Sequence, residues 1–190
     1  MLQKKFVRNN TIFNNIRMAY PSTNFKIYTD GACINNGKHN AKCSIGVHFS
    51  DNNTFKIQDI SKALKVPKHS NNIAELTAIQ EALKIYDNTD LMIPLQVYSD
   101  SKYSINCITK WYPSWVEKNC VNDKQNVKLI KEIYDKYTHM KLKYNVDLIY
   151  IKAHTGFSDE HSIGNSIADR LATDALKKFD NKPMDIRKFF

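Results

Sequence analysis

Four acidic residues stand in distinct local settings along this chain: Asp30 in Tyr28-Thr29-Asp30-Gly31, Glu75 in Asn71-Asn72-Ile73-Ala74-Glu75-Leu76, Asp100 in Tyr98-Ser99-Asp100-Ser101, and Asp169 in Ala168-Asp169-Arg170-Leu171. The first and third sit where apolar strands are expected to end, and the other two on the apolar sides of expected helices. At about 100° per residue, Glu75 shares its stripe with Ile79, Ala82 and Tyr86. Asp169 lines up with Asn165 one turn earlier and with Ala172 and Leu176 later. A solvated carboxylate needs none of these placements, and a charge brought toward a core is costly unless something pairs with it. Converging carboxylates call for cations, and oxygen donors without cysteine favour magnesium or manganese over zinc.

The elements that must position these acids follow from patterning. Strands are expected at Phe25–Asp30, Cys43–Ser50 and Thr54–Ser61, as an antiparallel meander broken by Asn35-Asn36-Gly37 and Asp51-Asn52-Asn53. A helix is expected over Asn71–Tyr86, a strand over Ile93–Ser99, helices over Ser101–Lys110 and Gln125–Thr138, a strand over Val146–Ile151, and a last helix over Gly164–Phe179. Early strands followed by alternating helices and strands imply an α/β fold with a mixed five-stranded sheet. In such a sheet, acids at the C-terminal ends of parallel strands meet in the crevice where ligands bind.

A length of 190 residues, 42% hydrophobic and 25% charged, fits one domain with short extensions. We divide it into a basic extension (1–24), a main domain (25–180) and a tail (181–190). The net charge of +9 argues for an anionic partner, a solvated lysine surface being the plainer alternative. That charge concentrates in residues 1–24, which hold Lys4, Lys5, Arg8 and Arg17 without an acid, and in residues 101–143, where nine lysines face four acids. The first segment reads as a nucleic-acid-binding arm, a mitochondrial presequence or a plain tail. Cys33, Cys43, Cys107 and Cys120 form no C-x-x-C pair, so neither zinc nor a redox motif is indicated. They read as reduced thiols of an intracellular protein, in cytoplasm or nucleus. No apolar run reaches the length of a membrane span, and no membrane partner is expected.

The ordered set Tyr-Thr-Asp-Gly, Asn-Asn-x-x-Glu-Leu, Tyr-Ser-Asp-Ser, His154-Thr155-Gly156 and Gly164-Asn165 leading to Ala168-Asp169-Arg170-Leu171-Ala172 resembles the type 1 ribonuclease H family over residues 25–180. The resemblance implies the ribonuclease H-like fold, with helices on both faces of the sheet. It also implies hydrolysis of the RNA strand of an RNA–DNA hybrid by a monomer, leaving 5′-phosphate and 3′-hydroxyl ends. On that reading Asp30, Glu75, Asp100 and Asp169 ligate two Mg²⁺ ions, for which Mn²⁺ can substitute. Two such ions can activate a water and stabilise the leaving oxygen. His154 takes the family's mobile histidine position, assisting proton movement or product departure, and Asn165 its orienting asparagine position.

Substrate contacts carry over as well. Asn36, Asn71 and Asn72 match positions used in the minor groove, where amides donate to and accept from ribose 2′-hydroxyls; turn and helix-cap roles are the alternatives for Asn36 and Asn71. Lys68, Ser70 and Asn126 resemble a pocket for a phosphate of the DNA strand. Trp111 and Trp115 resemble the start of the family's basic protrusion, with core packing as the alternative. Two departures stand out. The segment Val116–Gln125 is short and weakly basic, and Phe157–Ile163 lengthens the loop after His154, offering His161 as a rival histidine. A non-catalytic hybrid-binding module, or another nuclease or strand-transfer enzyme on the same fold, are the competing functions.

Overall fold

The computed structural model describes residues 24–50, 56–89, 91–153 and 158–180. The basic arm, the C-terminal tail and His154 lie outside these residues.

Five strands form one sheet in the order β3-β2-β1-β4-β5. β1 (Phe25–Ile34), β2 (Lys42–Phe49) and β3 (Ile60–Ala63) are the antiparallel meander, while β4 (Leu95–Ser99) and β5 (Val146–Tyr150) add parallel strands on the other side of β1. The sheet is therefore mixed, as the order of elements implies.

Strand limits differ from the patterning where non-local pairing decides them. β1 does not stop at Asp30 but pairs with β2 through Ile34 opposite Lys42. β3 is shorter and later than expected, because the stretch before it is held by a side chain instead of a ladder. Asp59 accepts from the Phe49 backbone N–H at 2.9 Å and lies 2.8 Å from His48 Nδ1. β4 begins after Pro94, which has no N–H to give a ladder; its carbonyl instead accepts from Phe25 N–H at 2.8 Å.

Helix α1 (Asn71–Asp87) starts at the N-cap Ser70, whose hydroxyl accepts from Ile73 N–H. A bent rod follows β4: α2 (Lys102–Asn106), a wide π-helical turn at Cys107–Trp111, and α3 (Tyr112–Glu117). The wide turn ends two residues before Pro113, whose ring cannot coexist with a regular i−4 hydrogen bond. Helix α4 (Val127–Tyr144) outlasts its expected end by two turns, because Ile130, Ile133, Tyr137, Met140 and Tyr144 form one buried stripe. Helix α5 (Glu160–Asp180) starts a turn earlier than expected.

Strand alternation divides the core between the two faces. Phe25, Ile27, Leu95 and Val97 pack with Leu76, Ile79, Leu83 and Tyr86 of α1 and with Ile130 and Ile133 of α4. Tyr28 and Tyr98 point to the opposite face and pack with Ala168 of α5. Small residues let α5 come close there. Ser44 Oγ donates to the Ala172 carbonyl at 2.5 Å and Ser61 Oγ to that of Leu171 at 2.7 Å. Any Cβ at Gly46 would collide with the Ala168 carbonyl.

Candidate active site

Parallel register sets the first two acids side by side. Thr29 of β1 pairs with Ser99 of β4, so the next residues, Asp30 and Asp100, emerge at one level on neighbouring strands. Asp30 lies inside β1, opposite Gly46, yet just beyond the last β1–β4 pair. Glu75 arrives from α1, and close contact makes that possible: a Cβ at Gly31 would run into the backbone nitrogen of Glu75. One carboxylate oxygen each of Asp30, Glu75 and Asp100 lies within 4.8 Å of the others. That spacing suits oxygen ligands sharing cations.

From the opposite face, α5 contributes Asn165 and, one turn later, Asp169. Asn165 Nδ2 donates to Asp100 Oδ2 at 3.2 Å. Asp169, half-buried, stands outside the tight trio, but its charge raises the pKa of both Asp30 and Glu75. Exposure falls to 7% for Asp30, 6% for Glu75 and 4% for Asn165. Burial above all, then the charges of Asp100 and Asp169, push Asp30 from 3.8 up to about 7. Glu75 is raised well above the usual carboxylate range by burial, then by Asp30 and Asp100.

Such a site is uncompensated as it stands. Glu75 Oε2 and Asn165 Oδ1 are both buried with no hydrogen-bond partner, a costly condition for polar atoms. A divalent cation among these oxygens would relieve the repulsion and engage the orphaned carboxylate oxygen. The donor set is all oxygen and hard, so the residues fit magnesium or manganese.

From Ser158 onward the lengthened segment is not simply loop. Glu160–Ile163 form an added first turn of α5, capped by Asp159, whose Oδ1 accepts from the N–H groups of His161 and Ser162 at 3.0 and 3.2 Å. Ser162 Oγ donates to Asp159 Oδ2 at 2.6 Å, and these bonds hold the Asp159 carboxyl below its ordinary pKa. Lys26 ties Glu160 to β1 at 2.6 Å. His161 lies against the sheet, with Nδ1 3.1 Å from Tyr28 Oη and its ring 4.5 Å from that of Tyr98. His161 is thus engaged with the tyrosines two residues before Asp30 and Asp100.

The expected recognition residues gather at the start of α1 and beside α4. Asn36 Oδ1 accepts from Asn71 N–H at 3.2 Å, fastening the turn after β1 to the first residue of α1. Ser70, not Asn71, is the cap; Asn71 is exposed and Asn72 half-buried. Lys68 and Asn126 line a cleft of about 520 Å³ between the segment leading into α1 and the start of α4. Asn126 takes the left-handed conformation (φ 57°), and its amide donates to Tyr103 Oη at 3.4 Å. Lys124 and Lys128, which the motifs do not single out, line the same cleft; their positions flanking Asn126 are the signal in the sequence. Trp111 is 40% exposed, while Trp115 packs partly on the core. The two rings are 6.4 Å apart, and Lys124 Nζ lies 5.7 Å from the Trp115 ring centre. The two tryptophans thus divide between packing and exposure.

A family model for RNase H matches residues 22–177. A probable ribonuclease H of Acanthamoeba polyphaga mimivirus is 37% identical over 150 residues, covering 75% of this chain and 62% of that protein. Ribonuclease H of Clostridium botulinum is 33% identical over 155 residues, covering 81% of this chain and 96% of the relative. Human ribonuclease H1 is 26% identical, and the chain spans 51% of its length. Among solved structures, the fold is similar to the PFV RNase H domain (TM-score 0.60, 23% identity, 81% of this chain and 94% of that one). It is also similar to LC11-RNase H1 crystallised with an RNA/DNA hybrid (TM-score 0.56, 21% identity, 83% and 99%). With the motifs in order over the matched span and the acids brought together on the expected sheet, the chain belongs to the RNase H family of ribonucleases.

Proposed function

We propose that the protein hydrolyses the RNA strand of RNA–DNA hybrids in a reaction dependent on two divalent cations, Mg²⁺ or Mn²⁺, leaving 5′-phosphate and 3′-hydroxyl ends. The observation that carries this reading is the meeting of Asp30, Glu75 and Asp100 within 4.8 Å, with a buried Glu75 oxygen left unpartnered. Asp30, Glu75, Asp100 and Asp169 would hold the cations, which supply a water nucleophile at neutral pH and stabilise the oxygen that leaves. The family match and the relatives named ribonuclease H support the activity.

The chain's own residues supply positioning. Asn165 orients Asp100 through its amide, fixing which carboxylate oxygen faces the centre. Burial keeps bulk water from diluting the electrostatics of the site. His154, in the His-Thr-Gly motif, is the group we assign to proton movement or product departure; His161 is occupied by Tyr28 and Tyr98. Asn36, Asn71 and Asn72 offer amides to ribose 2′-hydroxyls, which distinguish RNA from DNA. Lys68 and Asn126, joined in the cleft by Lys124 and Lys128, would seat a phosphate of the DNA strand, with Ser70 at the cap of α1 two residues after Lys68. Trp111 would meet the same strand farther along.

Incubating the protein with labelled RNA–DNA hybrid, duplex DNA and duplex RNA, each with Mg²⁺ or with a chelator, tests the proposal. Cleavage of the hybrid's RNA strand alone, and only with Mg²⁺, is the expected result. Equal cleavage of duplex DNA would favour another nuclease chemistry on this fold, and binding without cleavage would make the domain a hybrid-binding module.

A further inference from the structure

The sequence spacing of the cysteines indicates no redox pair, yet the sheet brings two of them together. Cys33 of β1 and Cys43 of β2 are direct partners in the antiparallel register, and their sulfurs lie 2.7 Å apart. Both main-chain groups of Cys43 turn away from β1: its N–H donates to His69 Nδ1 at 3.0 Å, and its carbonyl accepts from Leu64 N–H at 2.9 Å. The two cysteines therefore form a narrow, non-hydrogen-bonded pair, in which α-carbons are separated by about 4.5 Å. A disulfide accepts that separation without backbone movement.

We propose that Cys33 and Cys43 are an oxidisable dithiol, converted by a hydroperoxide into a cross-strand disulfide. Cys33 is half-buried and Cys43 fully buried, so the oxidant meets Cys33 first. Cys33 gives up its proton and its thiolate attacks one peroxide oxygen; the O–O bond breaks, giving Cys33–SOH and a hydroxide that takes up the released proton as water. Cys43 sulfur then attacks the Cys33 sulfur and breaks its S–O bond; the Cys43 proton leaves with the departing hydroxide as water. In sum, two thiols and one hydrogen peroxide give one disulfide and two waters. Burial, followed by the contact with Cys33, holds the Cys43 thiol well above its ordinary pKa, so it does not initiate; its sulfur 2.7 Å from that of Cys33 is what places it to resolve.

The pair sits where the substrate-facing end of the sheet meets α1. Cys43 Sγ also lies 3.4 Å from the carbonyl of Ser70, the cap of the helix that carries Glu75. Asn36, three residues beyond Cys33, is fastened to Asn71 at the same corner. Oxidation removes the Cys43 S–H from Ser70 and staples β1 to β2 beneath that corner.

The test is chemical and independent of nuclease activity. The full chain, fully reduced, is treated with hydrogen peroxide, remaining thiols are alkylated, and the disulfide-linked peptides are identified by mass spectrometry. A Cys33–Cys43 cross-link that dithiothreitol reverses is the expected result. In the Cys43→Ser variant, Cys33 should halt as a sulfenic acid that dimedone traps. Failure of the wild-type chain to form the cross-link, or pairing of either cysteine with Cys107, Cys120 or a second chain instead, would overturn the proposal.

Discussion

Asn165 gives its amide to Asp100 at 3.2 Å while its own carbonyl oxygen, buried, has no partner. One side chain thus holds one of the clustered carboxylates in place and keeps a buried acceptor oxygen of its own unpaired. Removing it in Asn165→Ala should lower turnover on RNA–DNA hybrid by about 10–100-fold with little change in KM, the usual cost of losing a group that orients a metal ligand. Steady-state kinetics on a short hybrid decide this, and an unchanged turnover would show that Asp100 needs no such support.

The crowded acids make stability depend on pH. In the absence of divalent cations the folded chain keeps a proton on Asp30 up to about pH 7, whereas the unfolded chain releases it near 3.8. Stability from this group is therefore full below about 3.8 and is lost as pH rises toward 7. At pH 8 the ionised Asp30 costs on the order of a few kcal/mol, and Glu75 adds to it in the same direction. Asp30→Asn should melt higher than the wild type at pH 8 with a chelator present, and the gap should shrink toward pH 4. Magnesium should raise the wild-type Tm at pH 8 more than that of the variant. Coincident melting curves at pH 8 would contradict the assigned crowding.

Close contact at Gly31 is what delivers Glu75. A methyl group there meets the backbone of α1 itself, which cannot swing aside as a flexible side chain would. Gly31→Ala should cost about 1–3 kcal/mol of stability and should lose turnover out of proportion, because the helix moves with its carboxylate. Thermal melts and kinetics on one preparation separate the two effects.

The histidines should part ways. His154→Ala should reduce turnover by about 10²–10⁴-fold with little loss of hybrid binding, as expected for a proton-transfer group. His161→Ala removes a contact with Tyr28 and should appear chiefly as a lower Tm. The reverse ranking would show that the added turn of α5 has taken over the catalytic histidine.

Much of this site was legible because its chemistry is local. Asp30, Glu75, Asp100, Asp169 and Asn165 announce themselves by type and neighbours, and the helical phase of Glu75 is borne out by its burial at 6% exposure. What patterning could not reach depends on pairing between distant segments. The continuation of β1 past Asp30 follows from its partner β2, and the late start of β3 follows from Asp59 reaching back to Phe49. The added turn of α5 rests on Asp159 serving as its N-cap, a role that a lone Asp in a polar stretch does not announce, since the same residue type is equally common in turns. The meeting of Cys33 and Cys43 needed the register of the hairpin, which spacing along the chain does not state.

The most direct measurement of the central claim is magnesium-dependent cleavage of an RNA–DNA hybrid by the wild type and by Asp100→Asn, with circular dichroism of both. The amide keeps the shape of the carboxylate and removes its charge, so the variant should fold, bind the hybrid and fail to cut it even at high Mg²⁺. Full magnesium-dependent cleavage by a correctly folded Asp100→Asn would contradict the account.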